Sequence, residues 1–238
     1  MEASIWPGVV MTSDRCITVN HGETLVIADL HIGYEGSLEE AGLHLPKVQT
    51  DDLRDRLLAV MDKYEPSRIV VLGDFKHEFS RNLSQEWRDV RSILSFMGEY
   101  AEVVLVRGNH DNYLATISSK MDIPLLDSYR VGDLTLVHGH RDCPARPLVM
   151  GHEHPSVKIR DSVGASIKLP CFLRWEEVLV LPAFSPLSLG TDLSVARPSD
   201  FLSPVLRGRD VSGSAVYACS EIGLLSLGRL GDMMETIG

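Results

Sequence analysis

The chain is poor in several things, and each shortage removes a class of protein. It has no apolar run of about eighteen residues or more, so no membrane span is expected. Its opening, MEASIWPGVV, carries Glu2 and no basic stretch ahead of an apolar one; a secretory signal is not expected, and the cytoplasm is. Only four cysteines occur, Cys16, Cys143, Cys171 and Cys219, far apart and without a C-x-x-C pair. That spacing excludes a zinc ribbon and a small disulfide scaffold and leaves reduced thiols. Basic residues number 23 against 33 acidic, a net charge of −10. A protein that coats nucleic acid with positive charge is thereby disfavoured, although bound cations can reverse the field at one site. Trp6, Trp87 and Trp175 read as core and build no platform for stacking bases. Repeats, low-complexity segments and Pro/Gly/Ser-rich linkers are missing too, so residues 1–238 are expected to form a single domain.

Five short apolar runs share one design: TLVIADLH (24–31), RIVVLGD (68–74), EVVLVRGNHD (102–111), LTLVHGH (134–140) and PLVMGHEH (147–154). Each reads as a strand buried on both faces that closes on a small or polar residue. Between the first three lie helical patterns. Leu53, Leu57, Met61 and Tyr64 share one face before the stop at Pro66, and Trp87, Val90, Leu94 and Met97 share another, with Ser84 as N-cap. Alternating strands and helices predict parallel or mixed sheet with ligands beyond the carboxyl ends of the strands. Residues before 24 and after 155 read as hairpin-linked strands. They are expected to make a second, largely antiparallel sheet packed on the first.

The strand ends carry the chemistry. Asp29-x-His31 and His152-x-His154 each place two donors two residues apart. On extended backbone these would point the same way, roughly 7 Å apart along the chain. Gly73-Asp74 offers a carboxylate after a glycine, and Gly108-Asn109-His110-Asp111 offers an amide oxygen, an imidazole and an acid on one turn. His138 follows LTLV at the matching place in its strand. Carboxylate, imidazole and amide oxygen suit divalent manganese, iron or zinc, and the lack of cysteine speaks against a closed structural zinc site. Asp29, His31, Asp74, Asn109, His138, His152 and His154 are too many ligands for one tetrahedral ion. Two ions about 3.5–4 Å apart sharing a carboxylate would use them all.

In this order, D-L-H, G-D-x-x-H, G-N-H-D, H-G-H and G-H-E-H resemble the five blocks of the calcineurin-like metallophosphoesterase superfamily. Singly such motifs carry little, since Asp is common in turns; five in sequence, each closing a strand, carry much more. The shorter echoes ADLHIGYE, GDFKHEFSR and LPAFSPLSLGTD resemble its prokaryotic ICC-like branch, which includes DNA ligase-associated metallophosphoesterases. The resemblance implies an α/β (α+β) four-layer sandwich, two mixed β-sheets flanked by helices. It assigns Asp29, His31 and His154 to one ion, Asn109, His138 and His152 to the other, and Asp74 to both. The ions would be manganese, with iron, zinc or nickel as alternatives. His110 would act over the substrate, oriented by Asp111, while a metal-bridging hydroxide attacks phosphorus.

Several residues have less defined places. His77, His140 and Arg141 are candidates for substrate contact, and Lys76 and Arg146 for phosphate; Glu35 and Lys47 echo the branch without a derivable role. His21 and His44 read as surface or packing residues. The function this pattern supports is a divalent-metal phosphoesterase, foremost a phosphodiesterase, in nucleic-acid processing or repair by resemblance to the branch. Its partners are then a phosphate ester, nucleic acid or nucleotide, and no membrane. The rivals are a phosphomonoesterase, a cyclic-nucleotide phosphodiesterase and, in another class, a non-catalytic docking module.

Overall fold

The computed structural model describes residues 2–40, 42, 48–77, 84–160, 165–188 and 190–235; His44 and Lys47 lie outside them. A seven-stranded sheet takes its strands in chain order: β1 (Glu2–Trp6), β2 (Val9–Thr12), β3 (Ile17–Val19), β4 (Thr24–Ile27), β5 (Arg68–Leu72), β6 (Glu102–Val106) and β7 (Leu125–Leu126). The first four pair antiparallel. From β4 onward the pairing is parallel. The crossovers carry helices α1 (Tyr34–Glu40), α2 (Gln49–Tyr64), α3 (Ser84–Tyr100) and α4 (Leu114–Lys120). Helix α2 stops where the sequence says, on left-handed Glu65 just before Pro66.

The second sheet holds β8 (Tyr129–Val131), β9 (Leu134–Val137), β10 (Leu148–Met150), β11 (Pro155–Arg160), β12 (Ser166–Trp175), β13 (Val178–Val180), β14 (Thr191–Asp192), β15 (Ala215–Ser220) and β16 (Gly223–Arg229). Its centre is parallel, β10 lying between β9 and β13. Around it β12 pairs antiparallel with β11, β13 and β15. The expected strands are present, but their division between sheets differs from the expectation. The N-terminal hairpins extend the first sheet instead of joining the tail, because β3 pairs directly with its neighbour β4. The fourth and fifth polar-ended strands, β9 and β10, sit in the second sheet.

Strand alternation explains why the apolar runs are continuous. Leu25, Ile69, Val71 and Leu105 face a core shared with Leu53, Leu57, Val90 and Leu94 of the helices. Their neighbours Val26, Val70, Leu72 and Val104 face the other way, onto Leu136, Val149, Phe172 and Leu179 of the second sheet. That sheet's outer face, with Leu148, Met150 and Leu173, is covered by Phe201, Val205 and Leu206 and by Leu230 of α5 (Leu230–Glu235). The result is four layers with both sheets buried on both sides. Trp6, Trp87 and Trp175 pack at the edges of these cores.

Among the described residues no helix is long and apolar enough to cross a membrane. All four cysteines are free, and Cys16, Cys171 and Cys219 are buried. Burial pushes the Cys16 and Cys219 thiols up to about 12 and that of Cys171 well above its ordinary value. Because the thiolate is the nucleophile, iodoacetamide should label the folded protein at Cys143 alone, as read by mass spectrometry. Labelling of Cys16 or Cys171 before unfolding would contradict this packing.

Candidate metal centre

The first strand ends are held in register by backbone bonds that outlast the strands. His31 N–H donates to the Asp74 carbonyl at 2.9 Å and Asp29 N–H to that of Gly73 at 3.2 Å. Within the second sheet Gly151 N–H reaches the His138 carbonyl at 2.9 Å, and across the sandwich Phe184 N–H reaches that of Ala28 at 2.8 Å. The rims of the two sheets are thus stitched together, and the five polar endings meet at one place.

They do not meet on extended backbone. Asp29, His31, Asp74, His152 and His154 have φ of 58°, 50°, 47°, 71° and 45°. This is the left-handed region, costing each non-glycine residue about 1 kcal/mol or more. The same-side extended geometry expected for D-x-H and H-x-H is therefore replaced by tight turns. The glycines of the blocks give way to the donors: a Cβ on Gly73 would strike the His138 ring, one on Gly108 would strike Asp74, and one on Gly151 would strike Asp29.

Among the described residues three groups have their ligand-type atoms within 4.8 Å of one another: first Asp29, His31 and His154, second Asp74, His138 and His152, and third His31, His77 and His110, which shares His31 with the first. In the first, His31 Nε2 faces His154 Nε2 at 3.2 Å, and His154 Nε2 lies 3.3 Å from Asp29 Oδ1. In the second, His138 Nε2 lies 3.0 Å from Asn109 Oδ1, 3.1 Å from His152 Nδ1 and 3.3 Å from Asp74 Oδ2. Asp74 Oδ2 is also 4.0 Å from His31 Nε2, which puts it between the clusters. Asp29 is fully buried, and among the described residues its Oδ1 makes no well-formed hydrogen bond, lying 3.3 Å from His154 Nε2 and 3.6 Å from His138 Nδ1. A buried carboxylate oxygen left that way, among imidazole nitrogens, fits a cation. The donor set could hold divalent metal ions.

Charge is balanced internally in the metal-free protein. Burial pulls His31 down to about 3 and His152 to about 4, leaving both neutral. Burial also works against a charged His138, but Asp74 and Asp29 outweigh it and hold the ring up at about 9. Burial likewise opposes a charged His154, and Asp29 outweighs it and raises that group. His138 Nδ1 donates to the Leu72 carbonyl at 2.9 Å, so the proton that a cation would displace is the one on Nε2. Loading with Mn²⁺ at neutral pH is expected to release protons, and affinity should rise as pH climbs toward about 9. Calorimetry in two buffers of different ionisation enthalpy reads this directly; a heat independent of buffer would contradict it.

The remaining expected residues fall into three groups. His110 and His77 flank the first cluster: His110 Nδ1 donates to the His77 carbonyl at 2.6 Å, leaving its Nε2 4.0 Å from Asp74 Oδ2. His77 Nδ1 lies 3.4 Å from His31 Nδ1. Asp111 is buried beside this turn. Its carboxylate accepts from the amides of Gly108 at 2.8 Å and Phe75 at 2.9 Å, holding the turn after Asp74. Burial and the Asp74 charge push Asp111 up to about 6. The His140 ring lies tilted beside that of His138, 5.2 Å between ring centres, and its Nδ1 is buried with no hydrogen-bond partner among the described residues. Arg141 lies exposed, 3.9 Å from Asp127, and Arg146 bonds the carbonyls of its own loop. Lys76 is not solvated: it is buried, 3.7 Å from Glu86. His21 is exposed.

The supporting parts played by Glu35, Gln49, Glu153 and Ser203 have no motif that announces them. Glu35 accepts from the amides of Val48 and Gln49 at the start of α2, and Gln49 Nε2 then donates to the His31 carbonyl at 2.8 Å. Glu153, between the two histidines, is buried and accepts from Ser203 N–H, while Ser203 Oγ donates to the Gly139 carbonyl at 2.6 Å. One serine thus braces both histidine turns of the second sheet. The only sequence signal for it is an acid placed inside H-E-H.

A sandwich of two mixed sheets with histidine and aspartate clusters at their joined rims is the layout of a metal-dependent phosphoester hydrolase. The chain belongs to the calcineurin-like phosphoesterase family, whose profile matches residues 23–211. Among solved structures it is similar to the nuclease MPE of Pseudomonas putida, with a TM-score of 0.67 and 23% identity over 95% of this chain and 99% of that one. A protein of unknown function from Aquifex aeolicus, AQ665, aligns at a TM-score of 0.37 and 20% identity, over 55% of this chain and 78% of that one. No curated protein sequence matches.

Proposed function

We propose that this chain is a phosphodiesterase of the ICC-like, DNA ligase-associated branch, a single cytoplasmic domain acting in nucleic-acid processing with two manganese ions. The observation that carries the reading is the pair of donor clusters with Asp74 between them. Asp29, His31 and His154 would hold one ion and Asn109, His138 and His152 the other, with Asp74 contributing to both. When bound, such ions supply Lewis acidity toward phosphoryl oxygens and acidify water near neutral pH. The protein's own part is positional. His138 is fixed through Leu72, the turn bearing Asp74 through Asp111, and His110 through the His77 carbonyl. His110 is left half-exposed with Nε2 toward Asp74, placed to give a proton or a hydrogen bond to a phosphate oxygen. His77, His140 and Arg141 line the approach. The fold shared with a nuclease supports nucleic acid as the substrate class.

Protein stripped of metal and reloaded with Mn²⁺ should hydrolyse an aryl phosphodiester faster than the matching monoester. Hydrolysis of the monoester alone would move the reading to phosphomonoesterase. Turnover of neither, with metal bound, would leave a docking module.

A further inference from the structure

A cavity of about 130 Å³ opens beside the first donor cluster, lined by Arg15, His154, Ser156, Lys168 and Ser188 among others. Among the described residues its lining holds two cationic side chains, Arg15 and Lys168, and no carboxylate, in a chain whose acidic residues outnumber its basic ones 33 to 23. Neither cation is paired with a carboxylate among the described residues. Arg15 Nη1 donates to the Ser185 carbonyl at 3.2 Å and Lys168 Nζ to that of Gly190 at 2.7 Å. A third cation stands behind them, as Arg56 Nη1 donates to the Phe184 carbonyl at 2.8 Å. Burial and the Arg56 charge pull the Arg15 guanidinium down to about 10, a mark of positive charge without a counter-charge.

The residues flanking these carbonyls are tied to the candidate metal ligands. Ser185 N–H donates to the Asp29 carbonyl at 3.2 Å, and Thr191 N–H to that of His154 at 2.9 Å. The cavity therefore has a fixed position relative to the first cluster. At roughly 30 Å³ per water it has room for about four waters, enough for one phosphate group.

We propose that this cavity binds a second phosphate, covalently linked through a sugar to the one under attack, so that the substrate is a strand and not an isolated diester. The inference rests on the phosphodiesterase reading above. On binding, the two cations exchange neutral carbonyl partners for charged phosphate oxygens, a stronger and charge-assisted contact. Arg56 stays behind as a source of field. An overall acidic protein thereby holds a polyanion at one place without a basic face.

The test compares wild type with Arg15→Gln/Lys168→Ala and with Lys168→Ala alone, the latter altering only an exposed side chain. The Mn²⁺-loaded proteins are given an aryl phosphodiester, which has no second phosphate, and a fluorescent single-stranded oligodeoxynucleotide. For the double variant, KM on the oligonucleotide should rise about tenfold, with the aryl diester changed by less than about twofold. Anisotropy of oligonucleotide binding should show the slope of log affinity against log salt falling by about 0.7 per lost contact. Equal losses on both substrates, or an unchanged salt slope, overturn the proposal. Wild type that cleaves the aryl diester but neither binds nor cleaves the strand also overturns it and leaves the phosphodiesterase reading standing. Wild type that cleaves neither removes that reading, and the salt slope still decides the phosphate site.

Discussion

Asp74→Asn is expected to lower aryl phosphodiester hydrolysis by about a thousandfold while the protein stays folded. The carboxylate sits 3.3 Å from His138 Nε2 and 4.0 Å from both His31 Nε2 and His110 Nε2, between the two clusters. An amide has nearly the same shape and removes the charge. One unit charge about 4 Å from a cation, at the effective dielectric of a protein site, is worth about 4 kcal/mol. That is about three decades in rate or in ion affinity. The fold should tolerate the change, because among the described residues Asp74 Oδ1 accepts from the His110 amide at 2.9 Å, which an asparagine oxygen can also accept. Calorimetric Mn²⁺ titration and circular dichroism alongside the rate assay separate the causes. Near-normal turnover with normal ion binding would contradict the placement of Asp74.

His110→Ala is expected to fail differently. Its ring stands outside the pair of clusters that share Asp74, half-exposed, so ion binding should be nearly unchanged. Loss of a positioned proton donor costs about 10²–10⁴ in kcat. His110→Gln should recover part of this if the ring's task is hydrogen bonding, and none if it transfers a proton. Loss of ions on His110→Ala, read from metal content, would instead make His110 a ligand. The contrast matters because His110, His77 and His31 themselves lie close enough to form a third donor group.

Asp74 and His110 both belong to blocks that the amino-acid sequence makes legible. Each block closes a strand buried on both faces, so local apolar runs ending in polar residues mark both the fold and the site. The ligand grouping is legible only by resemblance. Nothing in D-x-H says that Asp29 and His31 sit at positive φ, since most residues avoid such backbone and it is the long-range bonds to Gly73, Asp74, Ser185 and Gln49 that hold it there. The split of β9 and β10 from β4–β6 is not legible either, because apolar periodicity shows that a strand is covered and not which strand lies beside it. The Ser203 brace and the Arg15 cavity join residues far apart in the chain. Arg15 reads locally as a turn residue and gains its meaning from Ser185.

The central claim is that the two clusters are two ion sites sharing Asp74. Crystals grown with Mn²⁺ and measured at the manganese absorption edge test it without reference to turnover. The anomalous map should hold two peaks, one among Asp29, His31 and His154 and one among Asn109, His138 and His152, with Asp74 between them. A single peak, or a second peak on His77 and His110 instead, would contradict the account.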